Sequence, residues 1–279
     1  MNVAVTGGTG FVGRHVVAEF ERRGVSATLV CRMQSRLAPP LASHTVVGFD
    51  LKSPPADAFR QMREPDVLVH LAWAGLPHYE SLHHFEEELP TQYRFLKGLV
   101  EAGLKNVVIA GTCLEYGMQS GPLREELEDR PNNPYALAKH TLRLQLLQLQ
   151  RVRAFNLTWA RLFYMFGEGQ SQKSLFAQLR SAVERGERTF NMSGGEQLRD
   201  FLPVTLVAQH LVSFALTPGD YGVVNVCSGT PVSVRRLVER WIQENGWSIT
   251  PNLGHFPYPD YEPMAFWGDR RKLDRCLKT

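Results

Sequence analysis

The apolar run Val3-Ala4-Val5-Thr6 passes directly into Gly7-Gly8-Thr9-Gly10-Phe11-Val12-Gly13, which sets Gly7, Gly10 and Gly13 three residues apart just ahead of a segment with helical period. Such a junction narrows the choice of fold sharply. A strand, a glycine turn and a helix in that order need a tight turn, close packing of helix on strand, and helix-start N–H groups left facing outward as an anion site. The pattern predicts a dinucleotide cradle built from Gly7, Gly10 and Gly13, with the backbone of Phe11 and Val12 completing it.

The rest of the chain extends that beginning. Short β-branched runs at Val3–Thr6, Ala27–Cys31, Thr45–Phe49, Val67–Leu71, Val107–Ala110 and Leu157–Arg161 alternate with amphipathic stretches, as expected of βα units feeding a parallel sheet. In the segment from Arg14 to Arg23, Val16, Val17 and Phe20 share one face, and Gly24 stands where a helix cap belongs. The fold class predicted is α/β: a Rossmann-type doubly wound parallel sheet over residues 1–161, with part of 198–228 returning to it. Residues 162–197 and 229–279, where the alternation lapses, are assigned to a smaller C-terminal lobe. Helices are expected over Ser174–Glu184 and Ser233–Asn245, with a strand at Val223–Cys227.

With 279 residues the chain can bury a large core without staples. Its 31 Lys and Arg against 28 Asp and Glu are scattered, which excludes a broad basic face for nucleic acid. The four cysteines, Cys31, Cys113, Cys227 and Cys276, form no CxxC pair, and no apolar run approaches the ~20 residues that cross a bilayer. A cytoplasmic protein with no membrane partner is expected.

Cofactor choice turns on the end of the second strand, where an acidic residue would hold the 2′-hydroxyl of NAD. Cys31-Arg32 stands there instead, and Arg32, with Arg36 or Arg14 nearby, suits a 2′-phosphate. NADP(H) is therefore expected to be preferred, with NAD(H) possible.

Further along, Tyr135-Ala136-Leu137-Ala138-Lys139 puts a phenol and an ammonium one helical turn apart, after Asn133-Pro134. A cation there favours the phenolate and makes Tyr135 a usable general acid or base. Thr112 follows the apolar strand Val107–Ala110, at the strand end where ligands bind in a doubly wound sheet.

Taken together these segments resemble the extended short-chain dehydrogenase/reductases, a group of nucleotide-sugar epimerases, dehydratases and reductases. The resemblance rests on TGGTGFVG at Thr6–Gly13, Asp50-Leu51, HLAW at His70–Trp73, GTCLEYG at Gly111–Gly117, NPYALAK at Asn133–Lys139 and RDFLPV at Arg199–Val204. It implies that Thr112, Tyr135 and Lys139 are the catalytic hydroxyl, the proton donor or acceptor, and the lysine that also binds the nicotinamide ribose. It further implies that Asp50 and Leu51 lie at the adenine, that Leu71, Ala72 and Trp73 lie beneath the cofactor, and that Arg199 approaches the diphosphate of a nucleotide-sugar substrate. A homodimer built on the Tyr-xxx-Lys helix is implied too, the segment Leu142–Leu149 being apolar enough to allow it.

Within that group the residues favour one reaction. Cys113-Leu114 stands where 4,6-dehydratases carry an Asp-Glu pair, so no carboxylate pair is present for elimination. The sequence is similar to bacterial reductases of dTDP-4-dehydro-6-deoxyhexoses, which implies NADPH-dependent reduction of a C4 ketone for surface-polysaccharide sugars. A 4-epimerase with tightly bound NAD and a non-catalytic NADP-binding sensor are the alternatives. An asparagine and an arginine common in the group are replaced, by Leu162-Phe163-Tyr164 and Tyr261-Glu262-Pro263 respectively, and Tyr164 or Lys173 is the expected substitute at the sugar phosphates. Four residues keep two readings each. Cys113 is an acid/base group or a structural thiol, Glu115 an acid/base group or a solvated loop carboxylate, and His78 and His83, beside Glu86, Glu87 and Glu88, face the sugar or solvent. The spacing of that His/Glu cluster matches no zinc pattern, and no metal is expected. The aromatic stretch His255–Trp267 either closes over the nucleotide or packs the small lobe.

Overall fold

The structure is a computed structural model that describes residues 1–32, 44–258, 260 and 262–278. In chain order β1 is Val3–Thr6, α1 Phe11–Arg22, β2 Ala27–Cys31, β3 Thr45–Gly48, α2 Ala58–Gln61, β4 Val67–His70, α3 Leu89–Glu101 and β5 Asn106–Thr112. There follow β6 Gly121–Leu123, α4 Pro134–Gln150, β7 Asn156–Leu162, β8 Tyr164–Phe166, α5 Leu175–Glu184, β9 Thr189–Asn191, β10 Leu198–Pro203 and α6 Val204–Leu216. The chain closes with β11 Gly222–Val226, β12 Pro231–Ser233, α7 Val234–Asn245, β13 Thr250–Asn252, β14 Phe266–Gly268 and α8 Arg271–Leu277.

Seven strands form one parallel sheet in the order β11-β7-β5-β4-β1-β2-β3. The expected doubly wound α/β sheet is present. Its interior strands β1 and β4 are buried along their whole length, as apolar runs covered on both faces must be, whereas β3 at the edge has no fully buried residue. On one face α1 and α6 pack through Val16, Val17, Phe20, Val207 and Leu211; on the other, α3 and α4 pack through Phe95, Leu96, Leu142 and Leu146. Gly24 ends α1 with φ +69°, its N–H on Glu21 O and the Val25 N–H on Phe20 O, a paired closure that needs a left-handed residue. The strand order reverses between β1 and β4, so the crevice beyond their C-terminal ends is the place where such sheets hold ligands.

A separate small core gathers Leu179, Phe190, Met192, Leu237, Trp241 and Ile249 from α5, β9, α7 and the run into β13, with Phe176 and Trp241 in edge contact at 4.9 Å. Between it and the main sheet lies a third cluster of Cys113, Tyr116, Leu123, Phe163, Cys227 and Phe266. The end of the aromatic stretch thus packs: Phe266 is buried and β14 pairs with β6, while Phe256 stays exposed. The leucines Leu142, Leu146 and Leu149 of α4 are spent in the core, which leaves Leu137 and Leu144 as its exposed apolar residues. All four cysteines are free thiols, and no helix among the described residues is long and apolar enough to cross a membrane.

Candidate active site

The glycine turn has the geometry the sequence asks for. Gly7 adopts φ +71°, and a Cβ on it would lie 2.7 Å from the backbone of Leu71 and Ala72. A Cβ on Gly13 would lie 2.0 Å from Gly7 O, so α1 packs on the turn only because that residue has no side chain. On Gly10 the nearest atom would be Gly7 O at 3.2 Å, with nothing else close. Gly10 is the N-cap of α1 and supplies no side-chain acceptor, nor does the first turn carry an acidic residue. The N–H groups of Phe11, Val12 and Gly13 therefore remain available to an anion beside a smooth glycine surface, which fits a dinucleotide pyrophosphate.

Around this cradle the other expected cofactor residues fall as follows. Arg32 is exposed just past β2, while Arg36 lies outside the described residues. Asp50 is exposed in the turn after β3, where its Oδ1 accepts the Lys52 N–H at 2.9 Å; Leu51 is half-buried against the core. Leu71, Ala72 and Trp73 leave the end of β4, half-buried, beside Gly7. Beneath them His70 is buried, held by Thr6 Oγ1 on Nδ1 at 2.8 Å and Gln92 Oε1 on Nε2 at 2.9 Å, and burial pulls its imidazole down to about 3.

Thr112 ends β5, whose pairing with β7 runs through Thr112 opposite Leu162. The strand is longer than its apolar letters suggest because Gly111 lets Trp159 and Glu115 close over it: a Cβ there would meet Trp159 Nε1 at 2.3 Å. A 3₁₀ turn, Cys113–Tyr116, follows with a reciprocal cap: Thr112 Oγ1 accepts the Leu114 N–H at 3.2 Å and Glu115 Oε1 accepts the Thr112 N–H at 2.8 Å. Glu115 is wholly buried and also accepts Trp159 Nε1 at 2.9 Å and Arg161 Nε at 2.9 Å. Its oxygens are fully committed, which assigns it to structure rather than to proton transfer. Cys113 is buried in the inter-lobe cluster, and desolvation drives its thiol well above the ordinary range.

The helix that carries the pair begins as its sequence dictates. Asn133 Oδ1 caps the Ala136 N–H at 2.9 Å, Pro134 fills the first position, and the Tyr135 N–H finds Tyr79 O at 3.1 Å. Tyr135 and Lys139 are 8% and 3% exposed, and Thr112 beside them 7%. Burial holds the Tyr135 phenol above its usual range, and the neighbouring Thr112 hydroxyl works only weakly in the other direction. Lys139 is not the group that eases ionisation in this geometry. Its Nζ donates to Ala110 O at 2.8 Å and sits 6.0 Å from the Tyr135 ring centroid, and burial draws the ammonium down to about 7.

The expected substrate residues converge on a residue the motifs did not nominate. Arg199 is buried against Phe266, 4.6 Å from its centroid, and donates through Nη2 to Glu262 Oε2 at 3.0 Å; the Tyr164 hydroxyl donates to Glu262 Oε1. The next residue, Asp200, points the other way along β10 and accepts the Ser228, Gly229 and Gly268 N–H groups, tying the inter-lobe loops. Glu262 was visible in the sequence only as a departure at Tyr261-Glu262-Pro263. Of the histidines, His78 is exposed, and His83 lies 3.5 Å from Glu88 and 3.3 Å from Glu87. Among the described residues no group of three is arranged to hold a metal ion.

A family model, the NAD dependent epimerase/dehydratase family, matches residues 3–227, and so spans the cradle, Thr112 and the Tyr-xxx-Lys pair. The chain belongs to that family. Two relatives carry the same activity in their names. The dTDP-6-deoxy-L-talose 4-dehydrogenase (NAD(+)) of Aggregatibacter actinomycetemcomitans is 31% identical over 96% of this chain and 99% of its own length. The dTDP-6-deoxy-L-talose 4-dehydrogenase (NAD(P)(+)) of Kitasatospora kifunensis is 28% identical over 92% and 83%. Among solved structures, MoeE5 in complex with UDP-glucuronic acid and NAD superposes with a TM-score of 0.83 at 27% identity, covering 100% of this chain and 93% of that one.

Proposed function

We propose that the protein reduces the C4 ketone of a nucleotide-linked 4-dehydro-6-deoxyhexose, dTDP-linked as in the two talose dehydrogenases it resembles. The observation that carries this reading is the Tyr135 phenol, buried beside Thr112 and Lys139 while nearby acidic groups are engaged elsewhere. Among the described residues Glu115 and Glu262 are each committed to an arginine and Cys113 is a buried thiol, so none of these three is free to serve elimination or epimerisation next to the ketone. Redox at a single carbon remains. A bound nicotinamide supplies or accepts hydride. Tyr135, beside Thr112, gives its proton to the alkoxide oxygen that forms at C4, and its high pKa in the buried site keeps that proton in place until the oxygen demands it. Thr112 fixes the phenol and offers its own hydroxyl to the same oxygen. Lys139, whose Nζ donates to Ala110 O at 2.8 Å, is the proposed grip on the nicotinamide ribose.

In the cradle, Phe11, Val12 and Gly13 hold the pyrophosphate and Asp50 and Leu51 border the adenine. Arg32, where NAD enzymes place a carboxylate, supports NADP(H) as the preferred cofactor with NAD(H) also used. Arg199 and Tyr164 are the proposed grips on the substrate diphosphate and sugar. A cytoplasmic homodimer through the exposed face of α4 completes the proposal. Purified protein mixed with NADPH and dTDP-4-dehydro-6-deoxyglucose is expected to lose absorbance at the nicotinamide band. Tyr135→Phe should reduce turnover by at least about 10³-fold while leaving cofactor affinity unchanged. No oxidation of NADPH or NADH with dTDP-, GDP- or UDP-linked 4-keto sugars would refute the reading.

A further inference from the structure

Lys139 is held from a side that the Tyr-xxx-Lys pair does not explain. Its Nζ lies 4.0 Å from the centroid of the Trp73 ring, nearer than to Tyr135. An ammonium over an indole face is attracted by the ring quadrupole, more strongly where water is excluded. The indole is itself fixed, because its Nε1–H donates to His84 Nδ1 at 3.1 Å and the two rings stack at 6.2 Å and 28°. An indole N–H only donates, so His84 Nδ1 accepts and its proton resides on Nε2, which donates to His78 O at 3.0 Å. His84 has no exposed surface, and burial keeps its imidazole below the ordinary range, so the neutral tautomer persists.

The backbone supports the same purpose. His84 opens a single π turn, His84–Glu88, that leads into α3. Pro90 has no N–H for the carbonyl four residues back, and its ring crowds that carbonyl, so the helix path widens just there. At the other end of the turn Glu88 accepts the Ala74 N–H at 3.0 Å and Gln92 Nε2 at 2.9 Å. One turn thus grips Trp73 and Ala74 together.

We propose that Trp73 holds the Lys139 ammonium in place and in its charged form, and that His84 is a positioning residue acting on Lys139 through Trp73. The catalytic meaning of this clamp rests on the redox reading above, but the clamp itself is a property of the folded chain. The other groups facing Lys139 are Glu115 from the 3₁₀ turn and Glu88 from the π turn, which favour the ammonium, with neutral His70 at the end of β4 and Tyr135 on its own helix. With burial drawing Lys139 to about 7, these neighbours decide its charge at neutral pH.

The test is a titration of Lys139 by nuclear magnetic resonance in protein labelled at lysine Nζ, without added cofactor, the signal being assigned with Lys139→Met. Ring fluorination at position 73 withdraws charge from the indole face without changing its size. The Lys139 midpoint is expected to fall stepwise with each fluorine, by about one pH unit overall, a tenfold change in acidity. A midpoint that does not move would overturn the clamp. His84→Phe, which removes the acceptor, should lower the midpoint and kcat while leaving KM for the sugar unchanged, and His84→Asn, which keeps an acceptor, should restore both. In a Trp73→Phe background His84→Phe should do nothing further; an undiminished effect there refutes the route through Trp73. Predicted midpoint shifts in a protein that reduces no keto sugar would leave the clamp standing and reject the redox reading alone.

Discussion

Glu115 has no exposed surface, and Thr112, Trp159 and Arg161 take up both its oxygens, so it fixes the residue proposed to act on substrate without acting itself. Removing it strands the Arg161 guanidinium, 1% exposed, with Asp129 as its remaining carboxylate partner. Glu115→Ala is expected to cost about 3 kcal/mol in urea unfolding; an acid/base group would instead lose turnover at unchanged stability. His70 and His210 make a second test at this scale. Burial holds them at about 3 and about 4, with Arg270 adding to the effect on His210, so both are neutral when folded but take up protons near pH 6.5 when unfolded. The unfolded chain then binds more protons, and stability that is fully present above pH 6.5 is lost as pH falls toward 4, by about 1.4 kcal/mol per pH unit for each histidine. Acid titration of the unfolding midpoint should be flatter in His70→Asn. At this scale the closeness of Tyr135 and Lys139 was legible because it lies in local helical spacing. Glu262, His84 and the Trp73 contact were not, since they meet their partners across folds of the chain, Glu262 reaching Arg199 from 63 residues away.

At the scale of elements, the glycine turn was the most legible feature, because its constraint is steric and local. Gly13→Ala places a methyl 2.0 Å from Gly7 O, and neither atom belongs to a flexible side chain that can move aside. The variant is expected to lose about 2 kcal/mol or more of stability and to bind cofactor at least tenfold more weakly, measured by thermal unfolding and nucleotide titration. Strand ends were less legible. β5 runs to Thr112 because its register with β7 continues past Ala110, through a Gly111 that sequence alone suggests is a turn. The apolar helix segment Leu142–Leu149 shows the converse: its leucines alternate between core and surface, and composition does not say which is which.

At the scale of the whole molecule, the formal net charge of +3 describes neither site nor ligand. Charge is deployed locally, in the helix N-terminus at Gly10, in the exposed Arg32 past β2 and in the buried Arg199–Glu262 pair. The seven-stranded sheet supplies the cradle, Thr112, Tyr135 and Lys139 form a buried enclosure by the end of β5, and Arg199 and Tyr164 meet on Glu262. The central claim is that this enclosure passes one hydride to C4. The direct measurement is product analysis by nuclear magnetic resonance after turnover of dTDP-4-dehydro-6-deoxyglucose with NADPH deuterated at the transferable position. One deuterium on C4 of a 6-deoxyhexose, with one cofactor oxidised per product, is the predicted result. A sugar nucleotide altered at another carbon, or inverted at C4 without net cofactor oxidation, would contradict it.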